Sequence, residues 1–185
     1  MSYNENPSYG LKNPSGSMVL IQSQTASNSA SLKFTTGIAG YDLYYLAFYN
    51  VTVDTAGEVL SLQLSTDGGG TWITTGYTTN GLVTDSSGAT SQYNYTNAGM
   101  MLAFYTETST TAPINGYCTI YGLGSSTYQK SNILFNNQQL HTLGSVATNV
   151  STVCSSTSVI NALQVISETS GNILTGTFKL YGIVN

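Results

Sequence analysis

Val59-Leu-Ser-Leu-Gln-Leu-Ser-Thr-Asp-Gly-Gly-Gly-Thr-Trp72 carries a strand signal and a turn signal back to back. Leu60, Leu62 and Leu64 alternate with Ser61 and Gln63, so a chain of period two puts the leucines on one face, toward a core, and the polar side chains on the other, outside. The alternation stops at Thr66, and an acidic residue followed by three glycines provides the conformations that a tight reversal needs. A strand that ends in such a turn is the unit of an antiparallel β fold.

The same grammar extends in both directions. Short β-branched and aromatic runs, cut by Gly, Asn, Asp and Ser, predict strands at Met18–Gln24, Ser31–Thr36, Leu43–Val53, Val59–Ser65, Thr71–Tyr77, Met100–Thr106, Gly116–Gly122, Ile133–Phe135, Val159–Ser167 and Leu174–Val184. No segment holds a helical period over the roughly 11 residues that separate a helix from a strand. The expected fold class is all-β, a jelly-roll-like antiparallel sandwich spanning residues 18–185. Met1 to Ser17 has prolines and glycines and no apolar period, which predicts a flexible docking arm in which Tyr3, Tyr9 and Leu11 supply contact area. Leu43-Tyr-Tyr-Leu-Ala-Phe-Tyr49 is apolar on both faces, so it is expected to be a central strand, or one whose second face meets another subunit. Tyr44, Leu46 and Phe48 are its candidate contacts. Tyr77 to Asn97, poor in apolar residues, reads as a projecting loop pair whose Tyr77, Tyr93 and Tyr95 face a partner. Glu107-Thr-Ser with Gly116-Tyr-Cys-Thr-Ile-Tyr-Gly-Leu123 is echoed by Glu168-Thr-Ser with Gly176-Thr-Phe-Lys-Leu-Tyr-Gly-Ile183, which predicts two similar hairpins at equivalent places in the two sheets.

Composition bounds the chemistry. The 185 residues contain no arginine, four lysines, one histidine and eight carboxylates, and charged residues make up 6% of the chain against roughly 25% in ordinary domains. Without guanidinium forks or a basic patch, nucleic acid is not an expected partner. No apolar run approaches the roughly 20 residues of a membrane helix, and the first residues have no basic start followed by an apolar stretch, so folding in a cytoplasm without membrane insertion is expected. Cys118 and Cys154 lack the spacing of a metal site and read as small buried hydrophobes; no cofactor and no metal is expected. Asp54 with Glu58, and Glu107 with Glu168, are the carboxylate pairs able to mimic a glycosidase dyad if they meet. Surface turn acids are the commoner case, and the single His141 is not placed to complete a catalytic set.

Ser65, Asp67, Gly69, Thr71 and Trp72 resemble the Asp box, the turn motif best known from sialidases. Asp67 is expected to accept turn amides, Thr71 to re-enter a strand and Trp72 to pack over the turn. Sialidases carry several boxes and grip their acidic sugar with arginines; one box and no arginine leave a structural hairpin here.

Four stretches in order carry a broader resemblance: Ile21-Gln-Ser-Gln-Thr-Ala-Ser with Ala30-Ser-Leu-Lys-Phe-Thr-Thr-Gly-Ile; Tyr41-Asp-Leu-Tyr through Phe48-Tyr-Asn-Val; Leu62-Gln-Leu-Ser-Thr-Asp-Gly-Gly; and Ile160-Asn-Ala-Leu-Gln through Ser170-Gly-Asn-Ile-Leu-Thr-Gly-Thr-Phe-Lys-Leu-Tyr-Gly-Ile. Together they resemble small β-sandwich virion proteins and tail-fibre domains of tailed bacteriophages. The resemblance implies a non-enzymatic structural part, commonly trimeric, assembled in the host cytoplasm into the virion as tail fibre, fibre adaptor or host-contact component. A capsid decoration protein and a lectin-like carbohydrate-binding module are the alternatives. The expected partners are other copies of the chain, other virion proteins and a host surface glycan.

Overall fold

The computed structural model describes residues 16–184 except 105, 107, 109–111, 141–143 and 170, and excludes the side chains of 137–140. The arm, with Tyr3, Tyr9 and Leu11, therefore lies outside the described residues, apart from Gly16 and Ser17, as do Glu107 and His141.

Twelve strands form two antiparallel sheets, and no helix occurs among the described residues. In chain order they are β1 Met18–Thr25, β2 Ser31–Phe34, β3 Leu43–Val53, β4 Leu60–Ser65, β5 Tyr77–Asp85, β6 Thr90–Asn97, β7 Met100–Ala103, β8 Ile114–Tyr121, β9 Lys130–Leu140, β10 Gly144–Cys154, β11 Ala162–Ser167 and β12 Ile173–Ile183. The large sheet runs β1-β12-β3-β8-β9-β10-β5-β6 and the small one β2-β11-β4-β7.

Nested pairing defines the roll. β1 pairs with β12, β2 with β11, β3 with β8 and β4 with β7, as if one long antiparallel ribbon had been wound up. Winding it deals the pairs alternately to the two sheets, which is the jelly-roll arrangement. Two hairpins are inserted: β5–β6 between β4 and β7, and β9–β10 between β8 and β11. Both extend the large sheet beyond β8.

The core lies between the sheets. Leu60, Leu62 and Leu64 of β4 meet Tyr44, Leu46 and Phe48 of β3 and Phe178 and Leu180 of β12 in one buried cluster. Each such side chain contributes about 1.5–3 kcal/mol on burial. Cys118 and Cys154 are free and buried, as their sequence context indicates, and burial pushes the Cys118 thiol up to about 12.

Four expectations are corrected. Tyr77–Asn97 is not a loop pair but the β5–β6 hairpin, in register from Tyr77 opposite Asn97 to Thr84 opposite Thr90. Its threonines have the β preference that its low apolar content hides. Its turn closes on Asp85, whose Oδ1 accepts the Ser87 N–H at 2.9 Å and the Ala89 N–H at 3.2 Å. Thr71–Gly76 is not a strand, because Gly68, Gly69 and Gly76 all hold positive φ and keep the chain turning until Tyr77. The echoed segments are not hairpins on two sheets: β8 and β12 lie in the same sheet, flanking β3 on either side, and each follows a small-sheet strand. Gly144–Cys154, left unassigned by the sequence, is a full strand with Val146, Thr148, Val150, Thr152 and Cys154 turned inward.

The inward threonines and asparagines close an edge. β7 is the outer strand of the small sheet, and the large sheet curls over it. Asn136 Nδ2 donates to the Leu102 carbonyl at 2.6 Å, Asn132 Nδ2 to the Met101 carbonyl at 3.4 Å, and the Met101 N–H to Thr152 Oγ1 at 3.3 Å. Side chains thus stand in for a missing fifth strand and leave less of this edge free to pair with another chain.

Candidate functional site

The Asp67 turn is built as its residues dictate, except where it leads. Asp67 Oδ1 accepts the Ser65 hydroxyl at 2.7 Å and the Thr71 N–H at 2.9 Å, while Oδ2 accepts the Thr71 hydroxyl at 2.7 Å. Ser65 Oγ in turn accepts the Gly69 N–H at 3.0 Å. The Thr71 N–H, then the Ser65 and Thr71 hydroxyls, hold the Asp67 carboxyl down to about 2. A Cβ on Gly69 would meet the Trp72 ring at 3.1 Å, so the indole does pack over the turn. Across the chain, Asn161 accepts the Gly68 N–H at 2.7 Å and donates to the Thr66 carbonyl at 3.1 Å, pinning the turn to the entry of β11. All of the carboxylate's described partners come from its own turn, which is the behaviour of a structural element.

The other carboxylates also tie turns. Glu58 accepts the Ser167 hydroxyl at 3.0 Å, the Thr169 N–H at 2.9 Å and the Thr169 hydroxyl. Burial pushes Glu58 up, but the Thr169 and Ser167 donors together hold it below the ordinary range. Glu168 accepts the Ser61 hydroxyl, and burial, only partly offset by that bond, holds it above the ordinary range. Asp54 accepts the Asn172 N–H at 2.7 Å. Asp54 and Glu58 are close enough to interact, as are Glu58 and Glu168, and the three join the β3–β4 turn to the β11–β12 turn; the pair of Glu107 with Glu168 lies outside the described residues. Among the described residues no group of three His, Cys, Asp or Glu is placed to hold a metal ion. Lys130 is fully buried and points its ammonium at the carbonyls of Ser125, Tyr128 and Thr157, at 2.7, 2.7 and 3.3 Å, where it fastens two loops.

The contact residues proposed for β3 are corrected. Tyr44, Leu46 and Phe48 all face the core, and so does Tyr77, whose hydroxyl accepts the Leu64 N–H at 3.1 Å. Tyr93 is half-buried with its ring 4.5 Å from Phe104, and Tyr95 is exposed on β6. Both faces of β3 are apolar, so the sequence leaves open which one faces the core. The outward set is Tyr45, Ala47 and Tyr49.

Those outward residues belong to a continuous surface that sequence reasoning missed. Register places Tyr181 of β12 beside Tyr45, Ala47 beside Tyr117 of β8, and Tyr117 beside Phe135 of β9. Tyr45 and Tyr117 stack at 5.3 Å and 23°, Tyr117 and Phe135 at 5.7 Å and 27°, and Tyr181 leans on Tyr45 at 6.3 Å. Nine of the twelve exposed large apolar side chains described in the protein lie on this face of the large sheet. Lys179, whose ammonium lies 5.7 Å from the Tyr49 ring, is the one charged side chain among the described outward positions of its eight strands. The legible signal is the period-two complement of the inward set in each strand, once the inward set is known.

No family model, no curated protein and no solved structure matches this chain.

Proposed function

We propose that the chain is a non-catalytic structural subunit of a bacteriophage virion, a self-associating tail-fibre, fibre-adaptor or host-contact component. The observation that carries the reading is the use made of ionisable groups. Asp54, Glu58, Asp67, Asp85, Lys130 and Glu168 are each engaged by donors or acceptors of the chain's own turns and loops, which spends them on holding a jelly roll. A charge-poor sandwich of this kind, together with the ordered stretches that resemble phage fibre domains, supports a building part. In this reading residues 1–17 tether the sandwich to a neighbouring virion protein, and copies of the chain associate with one another.

Quantitative mass spectrometry of purified particles of the encoding phage tests it. A few tens of copies or fewer, with antibody labelling at the tail, is the expected result. Hundreds of copies would replace it with capsid decoration, and absence from the particle would remove the virion reading altogether.

A further inference from the structure

Among the described residues, the large sheet's outward face is the place where a broad apolar surface is left unfinished. The nine exposed side chains on it are between 38 and 51% accessible. At roughly 200 Å² for a large side chain, they alone offer on the order of 700 Å², close to the roughly 800 Å² per partner of a stable protein interface. An apolar face of this extent on a soluble sandwich marks an interaction site.

Three features identify the occupant. The first is charge: with Lys179 alone on the face, a strongly acidic, basic or nucleic-acid partner finds almost nothing to pair with, whereas an equally neutral surface loses nothing by docking. The second is ring orientation. Tyr117 is stacked between Tyr45 and Phe135 across neighbouring strands, so both of its faces are already used. A sugar ring stacks on an open aromatic face; upright rings instead interdigitate with other side chains. The third is relief. β9 stands between two shallow, open hollows, one of about 500 Å³ lined by Tyr49, Asn115, Tyr117 and Phe135 and one of about 330 Å³ lined by Asn80, Leu82, Ile133, Asn149 and Ser151. The face therefore has both ridges of aromatic size and recesses to receive them, and so can complement itself.

We infer that this face packs against the same face of a second copy of the chain, with Tyr117 and Phe135 at its centre. This rests on the self-association in the proposed function and gives it a surface. Sheet-on-sheet packing at about 10 Å would seat the rings of each copy between those of the other.

The test is the solution mass of the purified full-length chain at about 10 μM, by sedimentation or light scattering, for wild type and for Tyr117→Asp/Phe135→Asp. Wild type is expected at twice 19.6 kDa and the double variant at 19.6 kDa, its self-association weakened by more than about a hundredfold because carboxylates are forced into an apolar contact. The milder Tyr117→Ser/Phe135→Ser pair, with the wild-type far-ultraviolet circular dichroism, separates lost association from lost folding. Thr84→Asp, at the polar end of the same sheet, is expected to leave the mass unchanged. A monomeric wild type, whether or not it binds polysaccharide or vesicles, overturns the proposal, as does an oligomer that survives both double variants. The mass of the isolated chain does not depend on where particles carry it, so failure here leaves the virion reading to be decided by copy number.

Discussion

The outer faces of the two sheets are finished in opposite ways. On the small sheet, the side chains of β4 directed away from the core are polar, yet Ser61, Gln63 and Ser65 are 0, 5 and 0% exposed. The alternation in β4 puts them opposite the leucines as expected, but not in solvent. Loops cover them, and every polar group finds a partner: Ser61 donates to Glu168, Gln63 to the Ala98 carbonyl at 3.0 Å, Gln164 to Gln63 Oε1 at 2.7 Å and Ser65 to Asp67. On the large sheet, Tyr181, Tyr45, Tyr117, Phe135 and Ile133 form an apolar row among outward threonines, asparagines and serines, and that row stays open. A fold that covers the polar row of β4 with its own contacts and leaves an aromatic row bare has completed one side by itself and left the other to association.

The largest expected effect comes from testing that division within β3. Leu46→Ala removes an inward side chain and leaves a cavity, at about 2–5 kcal/mol. For a chain of this length the melting temperature falls by about 10 °C. Tyr45→Ala, one residue away on the open face, loses only stacking on Tyr117 and Tyr181, about 1 kcal/mol in the isolated subunit. Denaturant unfolding of both, at a protein concentration low enough to keep the chain monomeric, makes the comparison. Equal losses would mean that the two faces of β3 do not differ in kind.

The covered polar layer comes next. Gln164→Leu takes the donor from Gln63 Oε1, which is then buried without a partner, at about 1–3 kcal/mol. Gln63→Leu/Gln164→Leu removes both members of that bond and is expected to recover part of the loss, the remainder being the Ala98 carbonyl that Gln63 no longer serves. If the double variant is less stable than the sum of the singles, the layer is held by something other than its own hydrogen bonds.

These two tests bear on what the sequence makes legible. β4 and its turn are readable because their interactions are local: Leu60, Leu62 and Leu64 follow a period of two, and Asp67 bonds within four residues. The inserted strands are not, because their inward positions look polar. Thr79, Thr148 and Thr152 lie in the interior, and Thr152 serves the edge of β7 with Asn132, a strand distant in sequence. The parity of β3 is hidden for the opposite reason, since both of its faces are apolar and only the position of the small sheet decides which is core. The open face is then assembled from strands far apart in sequence, so its aromatic row exists only in the register. Asn161's hold on the Asp67 turn spans ninety-three residues and has no local trace.

Acid titration probes the closed side more gently. Asp67 is held near 2 against an ordinary 3.8, so the folded state binds its proton less tightly than the unfolded chain. Its contribution is fully present above about pH 4 and is lost as pH falls toward 2. Glu58, also held low, acts in the same sense, whereas Glu168 is held high and opposes them, gaining stability as pH falls through its folded value. Asp67→Asn is expected to lower stability at neutral pH and to flatten its decline between pH 4 and 2. An unchanged acid limb in melting temperatures would show that Asp67's hydrogen bonds do not couple to folding.

The smallest effect is expected at the free edge of the closed side. Lys33 on β2 is exposed, with its ammonium 5.8 Å from the centre of the Trp72 ring. A cation over an indole at an exposed site contributes about 0.5–1 kcal/mol, and the lysine stem also shields the ring from water. Lys33→Met keeps most of the stem and loses the charge; Lys33→Ala loses both. Trp72 is the only tryptophan in the chain, so tryptophan fluorescence reports the surroundings of this one ring. Lys33→Ala is expected to shift the emission to longer wavelength with a stability loss below about 1 kcal/mol, and Lys33→Met to leave the emission near wild type. The lysine also guards an edge strand, where a charge opposes pairing with another chain. If the self-association of Lys33→Met survives Tyr117→Asp/Phe135→Asp, β2 has become a second way for copies to meet, and the open face of the large sheet would owe its role partly to this one charge on the other sheet.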